Sequence, residues 1–295
     1  HLASRRQRQM CIRDSNTGGS TNVSLNITIL EPSANIVYDP TNLVLTRGEA
    51  MEPAIPEVDG GAIENWSIYP DLPDGLVFEN GTISGTPTVN MTIANYLIYG
   101  NNSGGSSVVG LSITILEPAP TITYQTDYLV LTRGETMPSA LQAIFGGGAV
   151  ASFTVTPELP DGLNFTNGTI FGTPTVNSTL VQYNITALNN GGSDYFLLNI
   201  TILEPVAILD AESTYFELIR SVDYMNLTLN NTGGMAATWE IEPFLPDGLI
   251  FDNGTITGTP TVNASLASYT IWANNTGGSD LSLIHISEPT RLWTI

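Results

Sequence analysis

The stretch Leu72-Pro-Asp-Gly-Leu-Val-Phe-Glu-Asn-Gly-Thr-Ile-Ser-Gly-Thr-Pro-Thr-Val-Asn90 decides the fold, because it occurs three times. Close copies begin at Leu159 and Leu245, so the spacings are 87 and 86 residues. Pro-Asp-Gly is a tight-turn signal, since proline presets φ and glycine accepts a positive φ. Asn-Gly is a strong signal for a two-residue β-hairpin. A fixed period of this size predicts an array of similar modules.

Features outside the stretch repeat at the same period. A large aromatic residue precedes the first leucine by six residues, and a tyrosine follows it by 24 residues. Short runs rich in β-branched residues alternate with turn signals, and no helical periodicity is present, which predicts an all-β chain of antiparallel sandwiches. The aromatic residues, which we expect in the core, are Trp66, Phe153 and Trp239, and the tyrosines are Tyr96, Tyr183 and Tyr269.

A Glu-Pro step separates the modules. Proline cannot donate to a central β-ladder, so it ends the preceding strand. Because these junctions are short, we expect the modules to follow one another end to end, as a rod. The predicted organisation is the last strand of a preceding module at 16–32, module one at 33–118, module two at 119–205, and module three at 206–280 with a truncated final strand.

The two ends share no pattern with the repeats. Both resemble in-frame translations of sequencing adapters, as found in assembled metagenomes, so residues 1–15 and 281–295 are set aside as adapter-derived scars. This removes Cys11, the only cysteine, and both histidines, His1 and His285. It also removes five of the eight basic residues, and the remaining chain contains no lysine.

Composition excludes several classes of function. The net charge of −20 predicts a surface that repels nucleic acid and anionic membranes. No run of about 20 apolar residues predicts a membrane span. Without His, Cys or Lys between the two ends, nucleophilic triads are absent, and we expect no enzyme. The triplicated carboxylates Asp74, Asp161 and Asp247 are better explained by turn chemistry.

The repeated motifs resemble a known family. Leu-Pro-Asp-Gly-Leu, Asn-Gly-Thr-Ile-x-Gly-Thr-Pro, the late tyrosine and the following Gly-Gly-Ser are similar to the "putative immunoglobulin domain" family, a relative of dystroglycan-type cadherin-like domains. The resemblance covers residues 16–280. It implies tandem immunoglobulin-like sandwiches on a bacterial or archaeal surface protein, hence an extracellular or cell-surface location. Under this resemblance the three tyrosines are similar to the tyrosine corner of such sandwiches.

The same resemblance suggests calcium. Cadherin-like relatives bind Ca²⁺ at module junctions through oxygen ligands. The acidic cadherin junction motif is missing here, and the alternative is a solvated acidic surface. No other cofactor is expected. The candidate ligands are Glu31, Glu117, Glu204 and Asp194, with Asp280 in the matching position of module three.

Three arginines remain between the set-aside ends, one in each module: Arg47, Arg133 and Arg220. One interpretation is an exposed ion pair with the nearby Glu49 or Glu135, which would contribute little to stability. The other is a bidentate arginine–carboxylate clamp that fixes a loop or a module junction. The sequence does not decide between them.

The pattern as a whole favours non-catalytic structural or adhesive modules that act as a stalk or spacer. The alternatives are carbohydrate- or protein-binding modules, or accessory domains of a larger secreted enzyme. A binding module would expose aromatic residues on one loop face, and Tyr99, Tyr195 and Trp272 are the residues to check. Many Asn-x-Ser/Thr sequons are present, of which Asn80, Asn167 and Asn253 fall at predicted hairpin tips and are candidates for glycosylation.

Overall fold

The computed structural model describes the backbone of residues 8–287, with side chains except at 8–16 and 20–22. Residues 1–7 and 288–295 of the two set-aside ends, including His1, lie outside the described residues. The first element is a two-stranded hairpin in continuous register from Arg8↔Ile27 to Asn16↔Gly19. Its second strand falls in the segment predicted as the end of a preceding module. The strands are β1 (Arg8–Asn16) and β2 (Gly19–Ile27).

Module one contains eight strands in two layers. One layer is a four-stranded sheet in the order β4-β10-β9-β6, and the other is formed by the pairs β3-β5 and β7-β8. An isolated bridge between Ala54 and Ile83 links the chain after β4 to the second layer. The strands are β3 (Asn35–Val37), β4 (Asn42–Thr46), β5 (Glu57–Asp59), β6 (Asn65–Tyr69), β7 (Leu76–Glu79), β8 (Thr82–Gly85), β9 (Met91–Asn102) and β10 (Gly105–Leu116).

Module two repeats this arrangement with a more continuous second sheet. Its sheets have the orders β12-β18-β17-β14 and β11-β13-β16-β15. The strands are β11 (Pro120–Tyr124), β12 (Tyr128–Thr132), β13 (Leu141–Gly147), β14 (Ser152–Thr156), β15 (Leu163–Thr166), β16 (Thr169–Gly172), β17 (Ser178–Asn189) and β18 (Gly192–Leu203).

Module three keeps the four-stranded sheet, in the order β20-β27-β26-β23, and divides the opposite layer into β21-β25-β24 and β19-β22. The strands are β19 (Leu209–Asp210), β20 (Tyr215–Glu217), β21 (Met225–Thr228), β22 (Asn230–Asn231), β23 (Thr238–Glu242), β24 (Leu249–Asp252), β25 (Thr255–Gly258), β26 (Ala267–Asn275) and β27 (Gly278–Ser287).

The last strand of module three is longer than the sequence analysis predicted. β27 runs to Ser287 and pairs with β26 from Asn275↔Gly278 to Ala267↔Ile286. Ile284 and Ile286 are buried, while Leu283 is exposed, because the alternating pattern of 281–287 fits a half-buried strand. Residues 281–287 therefore complete the sheet, and the expected truncation is not observed. Their origin from an adapter stays a prediction.

In each module, the four-stranded sheet that contains the module's last strand has one parallel pair beside the antiparallel pairs that the sequence predicts. β4 lies parallel to β10, β12 to β18, and β20 to β27. The cause is that the first stretch of each module is broken into two short strands. The earlier piece pairs in one layer and the later piece crosses to the other, beside the module's last strand. Consequently both strands of each parallel pair end at the same edge of the sheet.

Each module has its own hydrophobic core. The hairpin isoleucine of the repeated stretch is at its centre, with 0% exposure for Ile83 and Ile170 and 1% for Ile256. The all-β sandwich class predicted from the sequence is thus confirmed. The chain divides into two compact units: the first holds module one with the module-two segments 147–149 and 188–192, and the second holds the rest of modules two and three. Residues 8–287 include no helix long and apolar enough to cross a bilayer.

Candidate functional site

The repeated stretch forms the hairpin that its turn residues predict. In module one, Phe78 pairs with Ile83 and Glu79 with Thr82, which leaves Asn80-Gly81 as a two-residue turn. Both turn residues have positive φ, 49° and 82°, as a type I′ turn requires. The preceding turn is closed by a hydrogen bond from the Leu76 N–H to the Pro73 carbonyl, 3.1 Å.

The aspartates of this stretch act through their backbone. The Asp74 carbonyl accepts hydrogen bonds from the Thr88 N–H (3.0 Å) and hydroxyl (3.2 Å). The same pair of bonds links Asp161 to Thr175 and Asp247 to Thr261. The aspartate side chains themselves are exposed, which fits turn chemistry.

The three core aromatics are half-buried beside the hairpin tip. Trp66 meets Phe78 edge-on with ring centroids 6.4 Å apart, and Trp239 meets Phe251 in the same way at 6.4 Å. Phe153 meets Phe165 at 5.8 Å, and a second ring, Phe145, adds to it at 5.6 Å. Edge-to-face pairs at these distances are stabilising.

Tyr96, Tyr183 and Tyr269 are 2–3% exposed and lie in the cores. Burial raises the pKa of each. The Tyr96 hydroxyl donates to the Met91 sulfur at 3.8 Å, whereas a tyrosine corner would bond a backbone carbonyl.

Two other tyrosines, which the sequence analysis missed, do bond a backbone carbonyl. The Tyr124 hydroxyl donates to the Gly168 carbonyl at the hairpin tip, 2.8 Å, and Tyr38 bonds Gly81 in the same way. Burial raises the pKa of Tyr38 and of Tyr124 to about 12. Their shared position, nine residues before the module's arginine, could have identified them.

Two of the three arginines form bidentate ion pairs with the glutamate of the following Glu-Pro step. Arg47 Nη2 lies 2.6 Å from Glu117 Oε2, with Nε 3.3 Å from Oε1. Arg133 Nη2 lies 2.6 Å from Glu204 Oε2, with Nε 3.3 Å from Oε1. These hydrogen bonds raise the pKa of both arginines.

The parallel strand pair causes this meeting of arginine and glutamate. Thr46 is the register partner of Leu116, and Thr132 that of Leu203. The next residue on each strand is the arginine on one and the glutamate on the other. The partners are therefore not Glu49 and Glu135, which lie nearer in sequence.

The same Glu-Pro steps are also held by the next module, through the tip of a second hairpin. This hairpin joins the module's last two strands, which are β26 and β27 in module three. Glu204 N–H donates to Thr276 Oγ1 (2.9 Å), and Asn275 Nδ2 donates to the Pro205 carbonyl (2.8 Å). A side chain at Gly277 would overlap the Glu204 carbonyl. The same set recurs at Glu117-Pro118 with Asn189, Asn190 and Gly191, and at Glu31-Pro32 with Asn102, Ser103 and Gly104.

The asparagine at this tip holds both sides of the junction. Asn189 Oδ1 accepts from the N–H groups of Gly191 (2.8 Å) and Gly192 (3.1 Å), while its Nδ2 donates to the Pro118 carbonyl (2.7 Å). Sequence reasoning singled out only the Gly-Gly-Ser that follows. The asparagine precedes it in all three modules, which was the available signal.

The calcium candidates are not gathered into one site. Glu117 and Glu204 face arginines, and Glu31 is exposed at another junction. The Asp194 carboxylate accepts the Ile122 N–H at 2.9 Å, and Asp280 accepts the Leu209 N–H at 2.7 Å. Within residues 8–287, no group of three or more His, Cys, Asp or Glu side chains is placed to hold a metal ion.

The glycosylation candidates occupy the hairpin tips predicted for them. Asn80, Asn167 and Asn253 are exposed and have φ of 49°, 47° and 44°. Each asparagine side chain is therefore open to solvent at the turn, and glycosylation there stays a prediction.

The aromatic residues marked for checking lie on the outer faces of the four-stranded sheets. Tyr195 is 60% exposed, while Tyr99 and Trp272 are half-exposed. Trp272 adjoins a groove of about 510 Å³ in module three. Grooves of about 570 and 640 Å³ lie beside the edge strands β4 and β12, lined mostly by aliphatic and polar residues.

Comparisons with known proteins agree with this architecture. The sequence profile described as "Putative Ig domain" matches residues 119–202 and 209–287. A comparison with curated proteins found no match.

Similar solved structures include tandem immunoglobulin domains. The N-terminal eight Ig domains of Down Syndrome Cell Adhesion Molecule are 13% identical, with 88% of this chain and 42% of that one covered and a TM-score of 0.38. Titin domains I67–I69 are 13% identical, with 89% and 100% covered and a TM-score of 0.38. An endo-fucoidan hydrolase is 18% identical, with 87% and 44% covered and a TM-score of 0.26.

The chain thus spans less than half the length of the first of these structures. The profile match covers both modules that follow residue 118, including the strand that ends at Ser287. On that match, the chain belongs to the family described as "Putative Ig domain".

Proposed function

We propose that this chain is a non-catalytic part of an extracellular surface protein of bacterial or archaeal origin, in which the modules serve as a structural or adhesive stalk. The observation that carries the proposal is the repeated junction. A spacer must fix the position of each module relative to the next. The Glu-Pro step between two modules is contacted by residues of both of them. Membership of an Ig-like family and the tandem arrangement support this role.

The Glu117-Pro118 and Glu204-Pro205 junctions each combine three kinds of contact. The arginine of one module holds the glutamate side chain, the next module's tip holds the glutamate N–H and the proline carbonyl, and a glycine allows close approach. Charge-assisted bidentate bonds add geometric specificity as well as energy. A junction held in this way limits the conformations of the linker.

Paired spin labels, one in module two and one in module three, test the proposal. Labels at the exposed positions Val130 and Ile250 would report the distance distribution between the modules. We expect a narrow distribution, which broadens in Arg133→Gln and in Asn275→Ala because each change removes one side of the junction. Arg220→Gln, at an exposed arginine, is the matched control.

A broad distribution in the unchanged chain would contradict a spacer function. So would Arg133→Gln and Asn275→Ala variants that leave a narrow distribution unaltered, since the junction contacts would then not set the position of the next module.

A further inference from the structure

Module three has a groove whose lining residues differ from those at the equivalent positions of modules one and two. The groove lies along β23, the edge strand of the four-stranded sheet, and faces β24 of the opposite layer. Its volume of about 510 Å³ falls in the range of small-molecule sites. Its side chains include four aromatic rings and two carboxylates: Trp239, Glu240, Ile241, Glu242, Pro243, Phe244, Phe251 and Trp272.

Four of these positions differ from both other modules. Counting from the first leucine of the repeated stretch, Phe244 stands where modules one and two have an acidic residue. Glu240 and Glu242 stand where those modules have uncharged residues. The corresponding residues are Asp71 and Glu158 for Phe244, Ser67 and Thr154 for Glu240, Tyr69 and Thr156 for Glu242, and Tyr99 and Thr186 for Trp272.

These differences do not reflect a loss of the repeated sequence pattern around the groove. The Leu-Pro-Asp-Gly-Leu motif directly after Phe244 is unchanged, and the Trp239–Phe251 pair matches Trp66–Phe78 in geometry. The changes replace an acid by an aromatic ring on one side of the groove and add two acids beside it. The net effect is an aromatic surface with carboxylates next to it.

The side chains are available to a ligand. Phe244 is 95% exposed, and Glu240 and Glu242 are exposed on the outer face of β23. Trp272 is the register partner of Glu240, so the indole and the carboxylate lie side by side on adjacent strands. Asn274 Nδ2 donates to Glu240 Oε1 at 3.1 Å, which orients this carboxylate.

The combination selects for a cation that carries alkyl groups. The face of an aromatic ring is electrostatically negative and attracts ammonium groups, most strongly at tryptophan. The two carboxylates add attraction, and no lysine, arginine or histidine lines the groove. A neutral sugar could stack on the rings, but carboxylates only accept hydrogen bonds, and the indole N–H groups would be the only side-chain donors among the lining residues.

We propose that this groove of module three binds a small quaternary ammonium compound. The methyl groups would contact Trp272 and Phe244, and Glu240 and Glu242 would balance the positive charge. This inference is independent of the spacer function, since either could fail while the other holds.

The test is a titration of the full chain with choline, followed by ligand-observed saturation-transfer NMR and by tryptophan fluorescence. Two further probes are titrated in parallel. One is 3,3-dimethylbutan-1-ol, which has the shape of choline without its charge, and the other is a neutral trisaccharide. We expect choline to bind at low ionic strength, more tightly than its neutral analogue by about threefold or more, and the trisaccharide not to bind.

Variants taken from module two sharpen the test. Trp272→Thr introduces the residue found at Thr186 and should weaken choline binding about threefold to tenfold. Tyr99→Thr, the same change in module one, should leave binding unchanged. Glu240→Gln combined with Glu242→Gln keeps the size of two exposed side chains, and should weaken binding and reduce its salt dependence. Melting temperatures verify that each variant is folded.

Several results would overturn the proposal. These are no binding of choline, equal binding of the uncharged analogue, preferential binding of the trisaccharide, or weaker binding in the Tyr99→Thr variant. If Trp272→Thr does not fold, the two glutamine substitutions decide the question alone.

Discussion

Modules one and two differ from module three in how they use the arginine. In the first two, the arginine directly follows the last paired residue of the parallel strand, Thr46 or Thr132, and therefore meets the glutamate. In module three, pairing ends at Glu217, and Leu218 and Ile219 come before Arg220. Among residues 8–287, Arg220 forms no ion pair of the kind seen for Arg47 and Arg133.

The hairpin tip shows a second difference. Tyr38 and Tyr124 bond the tip carbonyls of modules one and two, but Ala211 occupies the corresponding position of module three. The backbone bond to this carbonyl is kept: the Leu229 N–H donates to the Gly254 carbonyl at 2.9 Å, as the Ala143 N–H donates to the Gly168 carbonyl at 3.1 Å in module two. The core and the hairpin are thus common to all modules, while the links between the core and the module ends vary. The predictions below test this division.

The largest effect is expected in the shared core. Ile170→Ala in module two and Ile256→Ala in module three each remove a side chain with 0–1% exposure. Each should lower the free energy of unfolding of its module by about 2–5 kcal/mol, since a cavity remains. Hydrogen exchange of the strands in each module measures this, with the exposed Val77→Ala as a control. A much smaller loss at Ile256 would contradict a common core.

An intermediate effect is expected at the tyrosine. Tyr124→Phe removes a buried hydrogen bond and should destabilise module two by about 1 kcal/mol at neutral pH. Because burial raises the pKa of Tyr124 from 10.0 to about 12, the phenol stays neutral longer in the folded state. Its contribution is present below pH 10 and lost as the pH rises to about 12, since the unfolded chain releases the proton first.

Alkaline titration of stability therefore measures the role of the tyrosine. Tyr124→Phe should be less stable than the unchanged chain at pH 8 but lose less stability between pH 10 and 12. Tyr183 remains in both proteins, so some alkaline loss should persist. Identical pH slopes would show that the Tyr124 hydroxyl is as accessible as in the unfolded chain.

The smallest effect is expected from calcium. Glu117 and Glu204 are engaged by arginines, and Asp194 and Asp280 by backbone N–H groups. Binding of Ca²⁺ would compete with these bonds, so we expect added Ca²⁺ to leave the melting temperature of the chain unchanged. A rise that saturates with Ca²⁺ concentration, and that is abolished by EDTA, would restore the calcium site suggested by the family resemblance.

The sequence was sufficient to predict local features. Pro-Asp-Gly and Asn-Gly specify turns by backbone conformation alone, so the hairpin, its register and the core isoleucines could be identified. The period of the repeat gave the number of modules. These features depend on residues that are near one another in the chain.

Features that join distant residues could not be predicted. The meeting of Arg47 with Glu117 depends on a parallel register across 70 residues, and nearby Glu49 was the more obvious partner. The final strand of module three was predicted as truncated, because 281–287 was set aside for its suspected adapter origin, although the alternating pattern of these residues is sufficient for pairing. Only Trp239 and Trp272 among the residues that line the groove of module three were singled out from the sequence, since the lining residues come from separate strands.

The repeated construction of the module junctions has a further consequence. Each junction consists of a Glu-Pro step from one module and an Asn-x-Gly tip from the next, and modules one and two carry both parts. A duplicated module would therefore bring its own Glu-Pro step and its own Asn-x-Gly tip. The array could gain or lose copies without any new contact surface having to evolve. The length of such a protein can then change by recombination within its gene, while a single altered module, such as the third, acquires a distinct surface.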